Sequence, residues 1–164
     1  MLDSIGDTAL RRTIGGLCIG NVGLAIHGTN VENVLTATAV TLTHNGVCNA
    51  FAAQTEIDLS AKTAYDEKGV ALSAIPTLAA GYTRKYVLAA NGSDAIIILC
   101  GKPMLTSQGD DADWPMLPAG YCPFGGIKVV NGTASAFTLG TTALNTASLT
   151  VTYSSLLTIP PRAV

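Results

Sequence analysis

The clearest signal in this chain is alternation. From Thr36 to His44 apolar and polar residues change places along the backbone, with Val40 and Leu42 on one face and Thr41 and Thr43 on the other. A period of two belongs to a half-buried β-strand. Asn45-Gly46 follows, then Val47 to Phe51. Asn-Gly between two such runs predicts a tight hairpin, because both turn residues must take positive φ. That turn would set Val40 opposite Phe51 and His44 opposite Val47. Arg84 to Ala90 and Ala95 to Cys100 predict a second hairpin around Asn91-Gly92-Ser93-Asp94, and the unbroken run Ile96-Ile97-Ile98-Leu99 suits a strand buried on both faces. Gly126 to Val130 and Ala136 to Leu139 flank Asn131-Gly132, a third predicted turn. Ser148 to Ser155 alternates, with Leu149, Val151 and Tyr153 opposed by Thr150, Thr152 and Ser154.

The remaining segments are less regular. Gln54 to Leu59 reads as a further strand. Ala61 to Ala71 carries Lys62, Asp66, Glu67 and Lys68 and reads as an exposed loop punctuated by Gly69. Lys102 to Gly120, with three prolines and Asp110, Asp111 and Asp113, reads as a long loop. Residues 1 to 13 predict a short helical turn capped by Asp3 or Ser4. Residues 14 to 30, glycine-rich and uncharged, predict an extended arm. Pro76 to Tyr82 echoes Pro115 to Tyr121, and each leads into a strand, as a shared loop-to-strand solution would. About eight short strands with frequent turn signals and no long helix predict an all-β fold, a jelly-roll-like β-sandwich or barrel. The domain would span residues 31–164, with residues 1–30 as an extended N-terminal arm.

Composition sharpens this picture. Charged residues are 12% of the 164-residue chain, about half the share of an ordinary soluble domain. They are also unevenly placed: no Asp, Glu, Lys or Arg occurs from Thr13 to Val31, from Asn33 to Thr55, or from Val129 to Pro161. The outward faces of strands in these stretches must therefore be Thr, Ser, Asn and Ala, and threonine alone occurs 20 times. Small neutral polar surfaces desolvate cheaply against a partner, whereas charged ones do so at large cost. They also leave sheet edges without the lysines that commonly block stray pairing. An obligate oligomer is the expectation. Its candidate interface is the arm, through Ile14, Leu17, Ile19, Val22, Leu24 and Ile26, together with the aromatic cluster Trp114, Tyr121 and Phe124.

Other function classes find little support. Net charge is −2 and no basic cluster occurs, so no nucleic-acid partner is expected. The apolar stretch Ile14 to Ile26 is broken by four glycines and Asn21 and falls short of the ~20 residues of a membrane helix, so no membrane partner is expected either. Leu10-Arg11-Arg12 before an apolar stretch superficially resembles a targeting signal, but no small-x-small cleavage site follows before His27, and none is read. Cys18, Cys48, Cys100 and Cys122 form no CxxC pair and read as buried thiols, with two disulfides in three connectivities as the arithmetic alternative. His27 and His44 have no ligand-like spacing. Asp110, Asp111 and Asp113 lack the glycine and distal glutamate of a calcium loop. No nucleophile elbow, phosphate-binding loop or dinucleotide fingerprint occurs, so neither catalytic residues nor cofactors are assigned. Trp114 and Tyr121 could stack on a sugar, but a hydrophobic plug at a sheet edge or subunit seam is the simpler role.

One resemblance bears on function. The run Leu117-Pro118-Ala119-Gly120-Tyr121-Cys122-Pro123-Phe124-Gly125-Gly126-Ile127-Lys128-Val129-Val130, continued by Phe137-Thr138-Leu139-Gly140-Thr141-Thr142-Ala143-Leu144, resembles the C-terminal half of small structural proteins of tailed bacteriophages. Glu32-Asn33-Val34, Ala39-Val40-Thr41-Leu42, Asn45-Gly46-Val47 and the closing Val151-Thr152-Tyr153 resemble other parts of the same pattern. The chain departs from it at Phe124, where the pattern has Ile, and at Leu139, where it has Pro; residues 1–30 match none of it. The resemblance implies a virion protein, a capsid decoration or cement protein, often trimeric, bound to the major capsid protein on the capsid surface after assembly in the host cytoplasm. The arm would be its anchor, ordering along a groove of the shell. The alternative is a tail or head-fibre adhesin that contacts host glycans through Trp114 and Tyr121. A small enzyme or ligand carrier outside any virus is a third reading, disfavoured by the uncharged stretches.

Overall fold

The computed structural model describes residues 16–44, 47–108, 113–132 and 135–156. Among them there is no α-helix; a single 3₁₀ turn spans Thr106–Gln108. The all-β expectation is met, with more strands than the pattern suggested, several of them of only two or three residues. In chain order these are β1 (Gly16–Ile19), β2 (Leu24–Ile26), β3 (Val34–Thr36), β4 (Val40–His44), β5 (Val47–Phe51) and β6 (Thr63–Tyr65). They are followed by β7 (Ala71–Leu72), β8 (Tyr82–Ala90), β9 (Ile96–Cys100), β10 (Met104–Leu105), β11 (Cys122–Asn131) and β12 (Leu149–Ser155).

Three sheets result. A small antiparallel sheet has the order β1-β4-β5, a ribbon pairs β2 with β3, and a large sheet runs β12-β11-β8-β9-β6-β7, with β10 attached to β8. The first hairpin has the predicted register, Val40 opposite Phe51 and His44 opposite Val47; its Asn45-Gly46 turn lies outside the described residues. The second is also as predicted, with Ala90 opposite Ile96 and Tyr86 opposite Cys100. β12 covers the alternating run near the C-terminus and lies antiparallel to β11.

The inner sides of the three sheets share one core. Cys18, Val40, Leu42 and Phe51 come from the small sheet, Leu24 and Val34 from the ribbon, and Tyr86, Leu88, Ile98, Phe124, Ile127 and Val129 from the large sheet. The opposite face of the large sheet carries a second cluster, in which Val87, Ala89, Ile97 and Leu99 are covered by Trp114, Leu117 and Tyr121. Ile97 and Ile98 therefore enter different cores, as the unbroken apolar run of β9 requires. Burying each such side chain contributes about 1.5–3 kcal/mol before entropy is charged against it.

β11 has its own device for serving both cores. Its pairing with β8 shifts between Pro123 and Gly125, a β-bulge at Phe124. The extra residue resets the side-chain parity, so Cys122 and Phe124 before it and Ile127 and Val129 after it all reach the main core. Proline is tolerated there because a bulge relaxes the demand for a ladder N–H. The Pro76–Tyr82 and Pro115–Tyr121 echo has a structural basis as well. Gly81 and Gly120 have φ of 79° and 87°, the left-handed region open to glycine, and each turns the chain into a long strand, β8 or β11.

Four expectations need correction. The described part of the predicted arm, residues 16–30, is woven into the fold: β1 pairs with β4, β2 with β3, and Cys18, Val22 and Leu24 are buried. Its glycines allow close packing, and Leu24 lies where a side chain on Gly125 would stand, within 2.7 Å of a Cβ built there. The helical turn predicted for residues 1–13 lies outside the described residues. Ala136 to Leu139 does not form a hairpin with β11, because β8 and β12 already occupy both edges of that strand; Phe137 bridges to Leu78 instead. Gln54 to Leu59 contributes only a bridge, Ile57 to Val34, while the charged segment 61–71 contains β6 and begins β7.

Candidate interaction surface

The alternation that buries Val40, Leu42 and Phe51 sends the intervening residues outward. In the small sheet Leu17 lies opposite Thr43 and Thr43 opposite Cys48; in the next outward row Ile19 lies opposite Thr41 and Thr41 opposite Ala50. These six side chains form an outer face without a charge. Ile19 is 51% exposed, Cys48 and Ala50 are exposed, and Leu17, Thr41 and Thr43 are half-buried. Val47, 59% exposed, stands at the hairpin end of β5. The Thr43 hydroxyl donates to the Leu17 carbonyl at 3.3 Å, which removes part of the polarity of the face.

Two strand edges extend this uncharged surface. Among the described residues β5 pairs with β4 alone and β12 with β11 alone. Neither contains Lys, Arg, Asp, Glu or Pro, the residues that most often protect an edge. Ala37, Thr38 and Ala39 before β4 and Asn145, Thr146 and Ala147 before β12 are exposed and neutral.

The residues singled out from the sequence divide into three groups. Leu17 and Ile19 lie on the outer face just described. Val22, Leu24 and Phe124 are in the main core, Phe124 edge-on to Phe51 with ring centroids 6.3 Å apart, and are corrected from interface to interior, while Ile26, half-buried, packs against that core. They are apolar positions on paired strands, and the fold itself uses them. Trp114 and Tyr121 cover the second cluster of the same chain. The Trp114 ring lies against Gly126 with the Lys85 ammonium 5.2 Å from its centre, and both Trp114 and Tyr121 are half-buried. Ile14 lies outside the described residues. Cys48 and Ala50 were missed, although the register predicted from Asn45-Gly46 already turns them outward.

Burial and hydrogen bonding shift several titratable groups. Burial pushes the Cys18 thiol up to about 11, with Cys122 adding to it, and the Cys100 thiol up to about 12; burial raises Cys122 as well. These three are free and buried, whereas Cys48 is free and exposed, a correction to the reading of four buried thiols. Glu56 accepts hydrogen bonds from the Asn30 and Asn33 amides at 2.6 and 2.7 Å, which hold its carboxyl below the usual range. A cleft of about 240 Å³ between residues 60–64 and 72–75 has Lys62 as its sole titratable lining residue. Among the described residues no three His, Cys, Asp or Glu side chains converge as a metal site, and no helix is long and apolar enough to cross a membrane. Comparison with protein-family models, with curated proteins and with solved structures finds no match to this chain.

Proposed function

We propose that this chain is a structural protein that acts by packing into a symmetric homo-oligomer, and that it serves as a capsid decoration protein of a tailed phage. The observation that carries the assembly reading is the uncharged outer face of the β1-β4-β5 sheet, continued by the unprotected edge of β5. A solitary domain would leave Ile19, Val47 and Cys48 against water beside an open strand edge. Six side chains are fewer than the roughly 20–30 residues a stable interface engages on each side. The β12 edge and the neutral loops at 37–39 and 145–147 supply further surface of the same kind.

The placement on a virion rests on the resemblance carried by residues 117–144 and by the Asn45-Gly46 hairpin. The mechanism would be mass action: a protein that binds the closed shell and not its open state stabilises the shell in proportion to its binding free energy. A free arm over residues 16–30 is not the anchor, because the fold pairs them; the anchoring role falls to the uncharged face, to which Leu17 and Ile19 belong. The adhesin alternative would use Trp114 and Tyr121, both half-buried over the second cluster, with Lys85 beside the indole. Antibody labelling of particles produced with this chain tests the placement. Label over the shell supports decoration, label confined to the tail favours the adhesin, and unlabelled particles would defeat both.

A further inference from the structure

His27 follows β2, and its ring is built into the turn that comes next. The Nδ1 atom accepts two backbone N–H groups, from Asn30 at 2.9 Å and from Thr29 at 3.3 Å. A nitrogen that accepts cannot carry a proton, so this arrangement requires the tautomer with its hydrogen on Nε2. The same turn is tied elsewhere: His27 N–H donates to the Asn33 carbonyl, Asn33 N–H to the Asn30 carbonyl, and the Asn30 and Asn33 amides to Glu56. Leu144 N–H reaches the Val31 carbonyl. One imidazole thus organises a loop that joins β2 and β3 to the 54–59 segment.

We propose that residues 27–30 form an acid-released clasp, in which a proton on His27 Nδ1 breaks both backbone contacts and offers Glu56 a new, charged partner. Protonation turns Nδ1 from acceptor to donor, so the Thr29 and Asn30 N–H groups would face a like donor and must turn away. The charged group that interacts with the ring is Glu56 from the packed 54–59 segment; Asp58 interacts in turn with Glu56, and Lys62 with Asp58. Glu56 remains ionised throughout the imidazole range, because its two amide donors hold it low. It can therefore exchange Asn30 for the imidazolium as the turn opens. This inference is independent of the assembly reading.

Amide hydrogen exchange of the full chain at about pH 8 and at about pH 5.5 tests it, the interval over which imidazoles as a class change charge. After correction for intrinsic exchange, protection at Thr29 and Asn30 should fall about tenfold on acidification, the equivalent of losing hydrogen bonds worth somewhat over 1 kcal/mol, while Leu88 and Ile98 in the core keep theirs. His27→Asn places an amide oxygen where Nδ1 accepts and does not titrate, so its protection should be flat over the same interval. Wild-type protection that does not change, or an equal acid loss in wild type and His27→Asn, would overturn the clasp.

Discussion

Trp114 closes over Gly126: a Cβ built at that glycine would stand 2.8 Å from Cη2 of the indole and 3.2 Å from Cδ1 of Leu156. The outer face of the large sheet is sealed at this point by the absence of a side chain. Gly126→Ala should therefore displace the ring, at the cost of about 1–3 kcal/mol typical of an overpacked core. Urea unfolding followed by tryptophan emission checks this directly, because Trp114 is the sole tryptophan. The native emission should shift to the red as the midpoint falls.

The thiols should separate into two classes. Cys48 is exposed on β5, while Cys18, Cys100 and Cys122 are buried and their thiolates disfavoured by that burial. Only the thiolate reacts appreciably. Titration with a thiol reagent at neutral pH should spare Cys18, Cys100 and Cys122 in the native protein, reach Cys48 wherever another copy does not cover the outer face, and modify all four in denaturant. Rapid modification of more than one native thiol would contradict the packing of β1 against the start of β11.

Acid should reveal the Glu56 contacts. A carboxyl held low in the folded state contributes stability that is complete above its unfolded pKa, about 4.3, and lost as pH falls through the folded value. Glu56→Gln keeps an oxygen for Asn30 and Asn33 but removes the titration. Urea midpoints measured below about pH 5 should fall less steeply for this variant than for the wild type. Parallel curves would show that the two asparagines do not stabilise the carboxylate. This window lies below the pH interval of the exchange experiment on His27, so the two results are separable.

How much of this was legible beforehand can be traced residue by residue. Asn45-Gly46 fixed the register of β4 and β5, and with it the outward direction of Thr41, Thr43, Cys48 and Ala50, because turn chemistry and a period of two act locally. β9 was legible for the same reason. The fate of Gly16 to Ile26 was not, since a glycine-rich uncharged run reads alike as a free arm or as close-packed strands. What decides is long-range: β4 offers an edge to β1, and Gly125 leaves room for Leu24. Phe124 was misplaced because a bulge changes side-chain parity without a sequence marker beyond Pro123 and two glycines. Ala136 to Leu139 failed because competition among strands for the edges of β11 cannot be read from any one of them.

Charge placed on the outer face should separate assembly from folding. Ile19→Lys puts an ammonium on a half-exposed position, where substitutions usually change stability by no more than about 0.5 kcal/mol. In a contact between copies the same charge would be desolvated without a partner. The variant should keep a native far-UV circular dichroism spectrum, lose oligomers on size-exclusion chromatography with light scattering, and show a urea midpoint that no longer rises with protein concentration as the wild type's does. Loss of the fold would show that Ile19 serves the interior instead.

The most direct test of the account is the native mass of the wild-type chain at micromolar concentration. Packing of uncharged sheet faces predicts a discrete closed oligomer, several times the 16.7 kDa of one chain. A stable species at 16.7 kDa, soluble and without association, would contradict it.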